Sequence, residues 1–221
     1  MNGISGSSYK IPSCFVNGSI TKALSSSNNP YAIKNSTNIS ARTGDYALYF
    51  NGGSSAAGGY IAFPAVQGDI KDMQVKFQMR ATVHSKSKGA IPTTSSGLEA
   101  TYARKVIVGT MGNPNEPSSF VAIDTIEYMY GTELLGKIAT QDSTRYWQEV
   151  KLPLEAAQGR YLAFVNGDFG KTNNKMYIDD VIIEPADKCT TPYGIAITAL
   201  KSTSATINCN YDSTALGCVV V

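Results

Sequence analysis

Met73-Gln74-Val75-Lys76-Phe77-Gln78-Met79-Arg80-Ala81-Thr82-Val83 alternates apolar and polar side chains without a break. A period of two over eleven residues predicts a β-strand with one face buried. Working outward, shorter runs of the same kind occur at Asp45–Asn51, Tyr60–Phe63, Lys105–Thr110, Ser119–Glu127, Trp147–Leu152, Arg160–Asn166 and Lys175–Glu184. Turn clusters such as Asn51-Gly52-Gly53-Ser54-Ser55 and Gly112-Asn113-Pro114-Asn115-Glu116-Pro117 separate them. Helical periodicity is nearly absent. Only Leu154–Gln158 offers a helical turn, confined by Pro153 and Gly159. This pattern predicts an all-β chain, a two-sheet antiparallel jelly-roll β-sandwich.

Composition narrows the function classes. The 221 residues carry 19 Lys plus Arg against 17 Asp plus Glu, a net charge of +2. That is too close to neutral for a nucleic-acid footprint, so no nucleic-acid partner is expected. Apolar residues make up 43%, enough for a sizeable core. The single histidine, His84, excludes His-rich metal centres and weakens every His-based triad. No Gly-x-Ser-x-Gly block accompanies it. Among the 17 acids, pairs for glycoside hydrolysis can be drawn from Asp124, Glu127, Glu133, Asp142, Glu149 or Asp168, but with so many carboxylates such pairs carry no information. The chain is therefore read as no enzyme. No run reaches the roughly 18 apolar residues that span a bilayer, so no membrane insertion of this segment is expected. The start lacks a basic and an apolar region, so a secretion signal is expected outside this chain.

Two stretches read as long loops, Asn17–Thr43 and Ser85–Gly97. A boundary falls near Glu184-Pro185-Ala186-Asp187-Lys188, giving a sandwich over 1–187 and a second segment over 188–221. The second segment holds three short strands, too few for an independent sandwich, and reads as a truncated second domain. The cysteines are Cys14, Cys189, Cys209 and Cys218. Bridges Cys14–Cys189 and Cys209–Cys218 are one reading, and four free thiols the other.

Several blocks carry a family resemblance. They are Ile11-Pro12-Ser13-Cys14-Phe15, Thr43-Gly44-Asp45-Tyr46-Ala47-Leu48-Tyr49-Phe50, Val106-Ile107-Val108-Gly109-Thr110 with Ser119-Phe120, Trp147-Gln148-Glu149-Val150, and Tyr177-Ile178-Asp179-Asp180-Val181. In this order they resemble a jelly-roll domain of secreted, multi-domain Bacteroidetes proteins, the cleaved-adhesin and MAM-like group. They are more distantly similar to calcium-bearing sandwich carbohydrate-binding modules. The segment from Cys189 resembles the first strands of a fibronectin type III domain, with Cys209 where that family has a core Trp. The resemblance implies a non-catalytic adhesion or carbohydrate-binding module, secreted or at the cell surface, whose partner is a glycan or a host or cell-surface protein. The other reading is a structural spacer beside a peptidase or glycosidase domain outside this chain.

The resemblance also assigns candidate residues. In the sandwich modules the first Asp of a block such as Asp179-Asp180 holds a structural calcium, together with the carbonyl of the Gly matching Gly44. Tyr9–Ser19 holds no Asp or Glu, where those modules add an acid. The alternative is a hydrogen-bonded or turn-capping Asp. On a regular strand Asp179 and Asp180 point to opposite faces and cannot form a catalytic pair. Trp147, the only tryptophan, is read as core. Tyr128 and Tyr130, two apart before Gly131, share a strand face and can form a sugar-stacking platform, or serve as packing.

Overall fold

The alternating stretch becomes β5, Met73–Ala81, at the heart of the molecule. Val75, Phe77, Met79 and Ala81 point into the core between two sheets. The computed structural model describes residues 11–21, 30–34, 41–51, 58–81, 104–129, 146–167, 175–186, 193–200 and 205–210. These fall into two units, Met1–Pro185 and Ala186–Val221.

In the first unit, β1 (Val16–Ser19), β4 (Gly59–Ala62), β9 (Tyr161–Asn166), β6 (Lys105–Met111) and β7 (Phe120–Glu127) form one sheet in that spatial order. The second sheet runs β2 (Tyr31–Lys34), β3 (Tyr46–Phe50), β10 (Met176–Pro185), β5 and β8 (Gln148–Pro153). All pairings are antiparallel. The expected sandwich is therefore present: β2 pairs with β3 and β6 with β7, and the other sequence neighbours of the first unit are split between its sheets.

Three expectations need correction. β2 and all but the first residue of β1 lie inside Asn17–Thr43, the stretch read as a loop. Leu154–Gln158 is a hydrogen-bonded turn, with Ala157 N–H donating to the Leu154 carbonyl at 2.9 Å. It plugs Leu154 and Ala157 into the core, and Gly159 ends it where a Cβ would fall 2.2 Å from the Met111 carbonyl oxygen. Finally, β5 is covered on both faces: Gln74, Gln78 and Arg80, on its polar side, are also buried. Gln74 donates to Glu184 at 2.8 Å and Gln78 to Glu149 at 3.0 Å, which offsets their desolvation.

The core is organised by aromatic rings. Phe77, Phe164, Phe63 and Phe15 meet edge to face in a chain, with centroids 4.9, 5.3 and 5.0 Å apart. Edge-to-face geometry sets the positive rim of one ring on the negative face of the next. On the far side of the first sheet, Tyr60, Ala62, Met111, Ala163 and Val165 form a second apolar cluster. The β6–β7 loop closes on it, and Tyr60 donates to the Pro114 carbonyl at 2.8 Å.

The second unit contributes β11 (Tyr193–Leu200) and β12 (Ala205–Asn210), paired antiparallel. Cys14 is an exposed free thiol, in line with the free-thiol reading of that residue; Cys189 and Cys218 lie outside the described residues. No helix among the described residues is long and apolar enough to cross a membrane.

Candidate functional site

The site grows from an irregularity in β10. Its register with β5 holds from Met176↔Ala81 to Asp179↔Gln78, then resumes at Ile182↔Lys76. One extra residue is inserted on β10, a β-bulge. Asp180 absorbs it in the left-handed region, at φ +49°. Asp tolerates that conformation better than most residues with a Cβ. Pairing of β10 with β3 stops just before, at Ile178↔Leu48, so the sheet opens there.

The bulge overturns the expectation that the two carboxylates face apart, because both now meet the segment leading into β3. Asp179 Oδ2 accepts from the backbone N–H of Arg42 at 2.7 Å and of Thr43 at 3.3 Å. Its Oδ1 accepts from Asp180 N–H at 2.8 Å. Asp180 Oδ2 pairs with Arg42 Nη1 at 2.5 Å, and its Oδ1 accepts from the Thr43 hydroxyl. Burial pushes the Asp179 carboxyl up from the ordinary aspartate range, and the Asp180 charge adds to the push. The three backbone N–H groups hold it back.

Calcium asks for six to eight oxygen ligands around one point. Here the carboxylate oxygens face N–H and O–H donors and a guanidinium. The described residues hold no group of three or more His, Cys, Asp or Glu that could surround an ion. Gly44 has φ +61° and open space where a Cβ would stand, so its backbone conformation is what calls for glycine. Asp179 and Asp180 meet Arg42 and Thr43, the residues just before Gly44, in an arrangement of donors that does not fit a calcium centre.

Beside the bulge lies a cavity of about 220 Å³. Half-buried rings of Phe15, Tyr46 and Phe63 wall it, with Val181, and Asp179 and Asp180 also line it. Phe15 is set by its N–H bond to Pro12 O at 2.9 Å, and Phe63 by its bond to Leu162 O at 2.8 Å. Tyr46 begins β3. The cavity thus joins rings from both sheets to carboxylates at the place where β3 leaves β10. Rings offer a face to an apolar surface, and carboxylates accept from hydroxyl or N–H donors.

Tyr128 offers no exposed ring to a platform. Tyr128 is only 1% exposed and donates to the Tyr146 carbonyl at 2.7 Å. Burial raises its pKa far above the usual tyrosine value, although the Arg80 charge opposes this. Tyr130 and His84 lie outside the described residues. Of the acids considered for hydrolysis, Asp124 and Glu127 are on β7 of the first sheet and Glu149 on β8 of the second. Glu133, Asp142 and Asp168 lie outside the described residues.

Trp147 is half-buried, but not between the sheets. It sits on the outer face of the second sheet with Ala47, Tyr49 and Tyr177. The fully buried guanidinium of Arg80 lies 5.2 Å from its ring centroid and 4.8 Å from that of Tyr177. Tyr49, Tyr177 and Arg80 are cross-strand neighbours in one row. Sequence reading missed this row because its members come from three distant strands. The only signal was Arg80 on the polar side of β5.

The same sandwich occurs in the K2 cleaved adhesin domain of Lys-gingipain, with a TM-score of 0.52 at 14% identity over 82% of this chain and 94% of that one. The fold is similar to that of this cleaved adhesin domain. The K1 cleaved adhesin domain of Lys-gingipain from Porphyromonas gingivalis W83 gives 0.47 at 13% identity, covering 80% and 93%. A family 30 carbohydrate-binding module of a Clostridium thermocellum cellulosomal cellulase gives 0.38 at 11%, covering 79% and 93%. No protein-family model matches the chain. No curated protein matches it either. At these identities the likeness is one of fold, and function has to be argued from the site.

Proposed function

We propose that the first unit is a non-catalytic adhesion or carbohydrate-binding module, working outside the cell or at its surface. One observation carries the reading: the cavity at the β10 bulge combines three aromatic walls with two carboxylates. A sugar ring presents C–H faces that pack on aromatic rings and hydroxyls that donate to carboxylates. A concave, mostly apolar site with few convergent polar groups is the usual form of a small-ligand pocket. The adhesin-domain fold supports the same reading. Tyr46 lies on β3, and Phe15 and Phe63 stand directly beside β1 and β4, which keeps the rings in place before a ligand arrives.

The test is a glycan array probed with the full chain and with Tyr46→Ala. Binding by the parent that is lost in Tyr46→Ala, at unchanged melting temperature, supports the reading. Silence of the parent across the array sinks it and leaves the spacer role.

A further inference from the structure

We propose that Arg42 supplies the counter-charge at the β10 bulge, and that the sandwich carries this guanidinium where a divalent cation would otherwise bind. The proposal rests on the donor count at Asp179 and Asp180 and does not depend on glycan binding. Asp179 Oδ2 accepts from the backbone N–H groups of both Arg42 and Thr43. Its Oδ1 takes a third N–H, from Asp180. Such donors carry partial positive charge toward the carboxylate and repel an approaching cation.

The charge itself is met at Asp180. Arg42 Nη1 lies 2.5 Å from Asp180 Oδ2, and the Thr43 hydroxyl donates to Oδ1. The backbone and side chain of one short segment, Arg42–Thr43, thus reach both acids at once and leave Asp179 Oδ1 and the Asp180 oxygens room to accept a further donor. A calcium ion entering here would have to displace the guanidinium and turn away three backbone amides fixed by the chain. Among the described residues it would also find no third carboxylate toward a six- to eight-oxygen shell. The left-handed turn at Asp180 is held from the same side by the same residues, so the cation and the bulge form one unit.

The experiment is thermal unfolding of the full chain in EDTA and in millimolar calcium chloride, for the parent, Arg42→Gln and Arg42→Lys. The parent is expected to melt at one temperature in both buffers. Arg42→Gln removes the charge and should melt about 2–4 °C lower in EDTA, with none of the loss recovered by calcium, because the three backbone donors to Asp179 remain. Arg42→Lys keeps a charge and should lie between the two. Parent melting that rises on adding calcium overturns the proposal, as does Arg42→Gln melting like the parent in EDTA.

Discussion

Replacing Phe164 by Leu should cost far more than its small change in volume suggests. Phe164 is fully buried and packs edge to face on Phe77 at 4.9 Å and 67°, and on Phe63 at 5.3 Å and 76°. Each such pair contributes about 0.5–1.5 kcal/mol beyond area burial, so losing both costs about 1–3 kcal/mol. The void left by the ring adds about 1 kcal/mol. A total of about 2–4 kcal/mol lowers the melting temperature of a unit this size by about 4–16 °C. Urea unfolding of Phe164→Leu, Phe77→Leu and the double variant measures the pair directly, with an expected coupling of about 0.5–1.5 kcal/mol. A coupling of zero, with a single-variant cost under about 1 kcal/mol, would refute the ring-chain reasoning. The site adds a second readout. Phe63 both packs on Phe164 and walls the cavity, so Phe164→Leu should weaken ligand binding more than Phe77→Leu does.

Other outcomes follow from single contacts. Tyr128→Phe deletes the bond to Tyr146 O and leaves a carbonyl unpaired, a loss of about 1 kcal/mol in urea unfolding. Because the folded state raises the Asp179 pKa, its proton favours the fold; that contribution is present below the ordinary aspartate value and is lost as pH rises through the raised one. The stability of the parent relative to Asp179→Asn should therefore fall as pH rises through that window, and a gap that widened in the parent's favour would contradict the assignment. Gly159→Ala drives a Cβ into the Met111 backbone and should destabilise by about 1–3 kcal/mol or more. Trp147 is the only tryptophan, so its fluorescence reports on Arg80. Arg80→Leu should shift the emission, and an unchanged spectrum would separate the two side chains.

Much of the sandwich was legible because burial imposes a period of two on strands that face a core. β5, β6, β9 and β10 begin and end within two residues of the alternating runs wherever the chain is described. β1 and β2 escaped because each is four residues long and set among Ser and Asn. The polar side of β5 reads as a solvent face, yet Arg80 is buried by an outer layer that no periodicity in β5 can announce.

The site was legible only as a block of residues. Asp179-Asp180 stood out as acids within an apolar strand, but regular alternation set them on opposite faces. What unites them is the positive φ of Asp180, coupled to Arg42 and Thr43 more than 130 positions away. Tyr128 looked like an open ring because it precedes a Gly-marked turn. Its burial follows from the chain beyond β7, where Tyr128 N–H bonds Arg104 O at 2.8 Å and carries the ring inward. The cavity joins Phe15, Tyr46, Phe63 and Val181, a proximity that only the topology creates.

The two strands at the ends of the sandwich are unequally anchored, and this bears on how the domain carries load. Among the described residues β1 is an edge strand, with four pairs to β4 and no partner beyond. β10 is ten residues long and clamped between β3 and β5. If the unit is stretched between these strands, tension at β1 is met by a short ladder on one side, and tension at β10 by ladders on both. The N-terminal strand should detach first and leave the second sheet, with the bulge and its acids, intact. Single-molecule pulling should then show a small early extension ahead of the main rupture, and a single event releasing the whole sandwich would contradict this order.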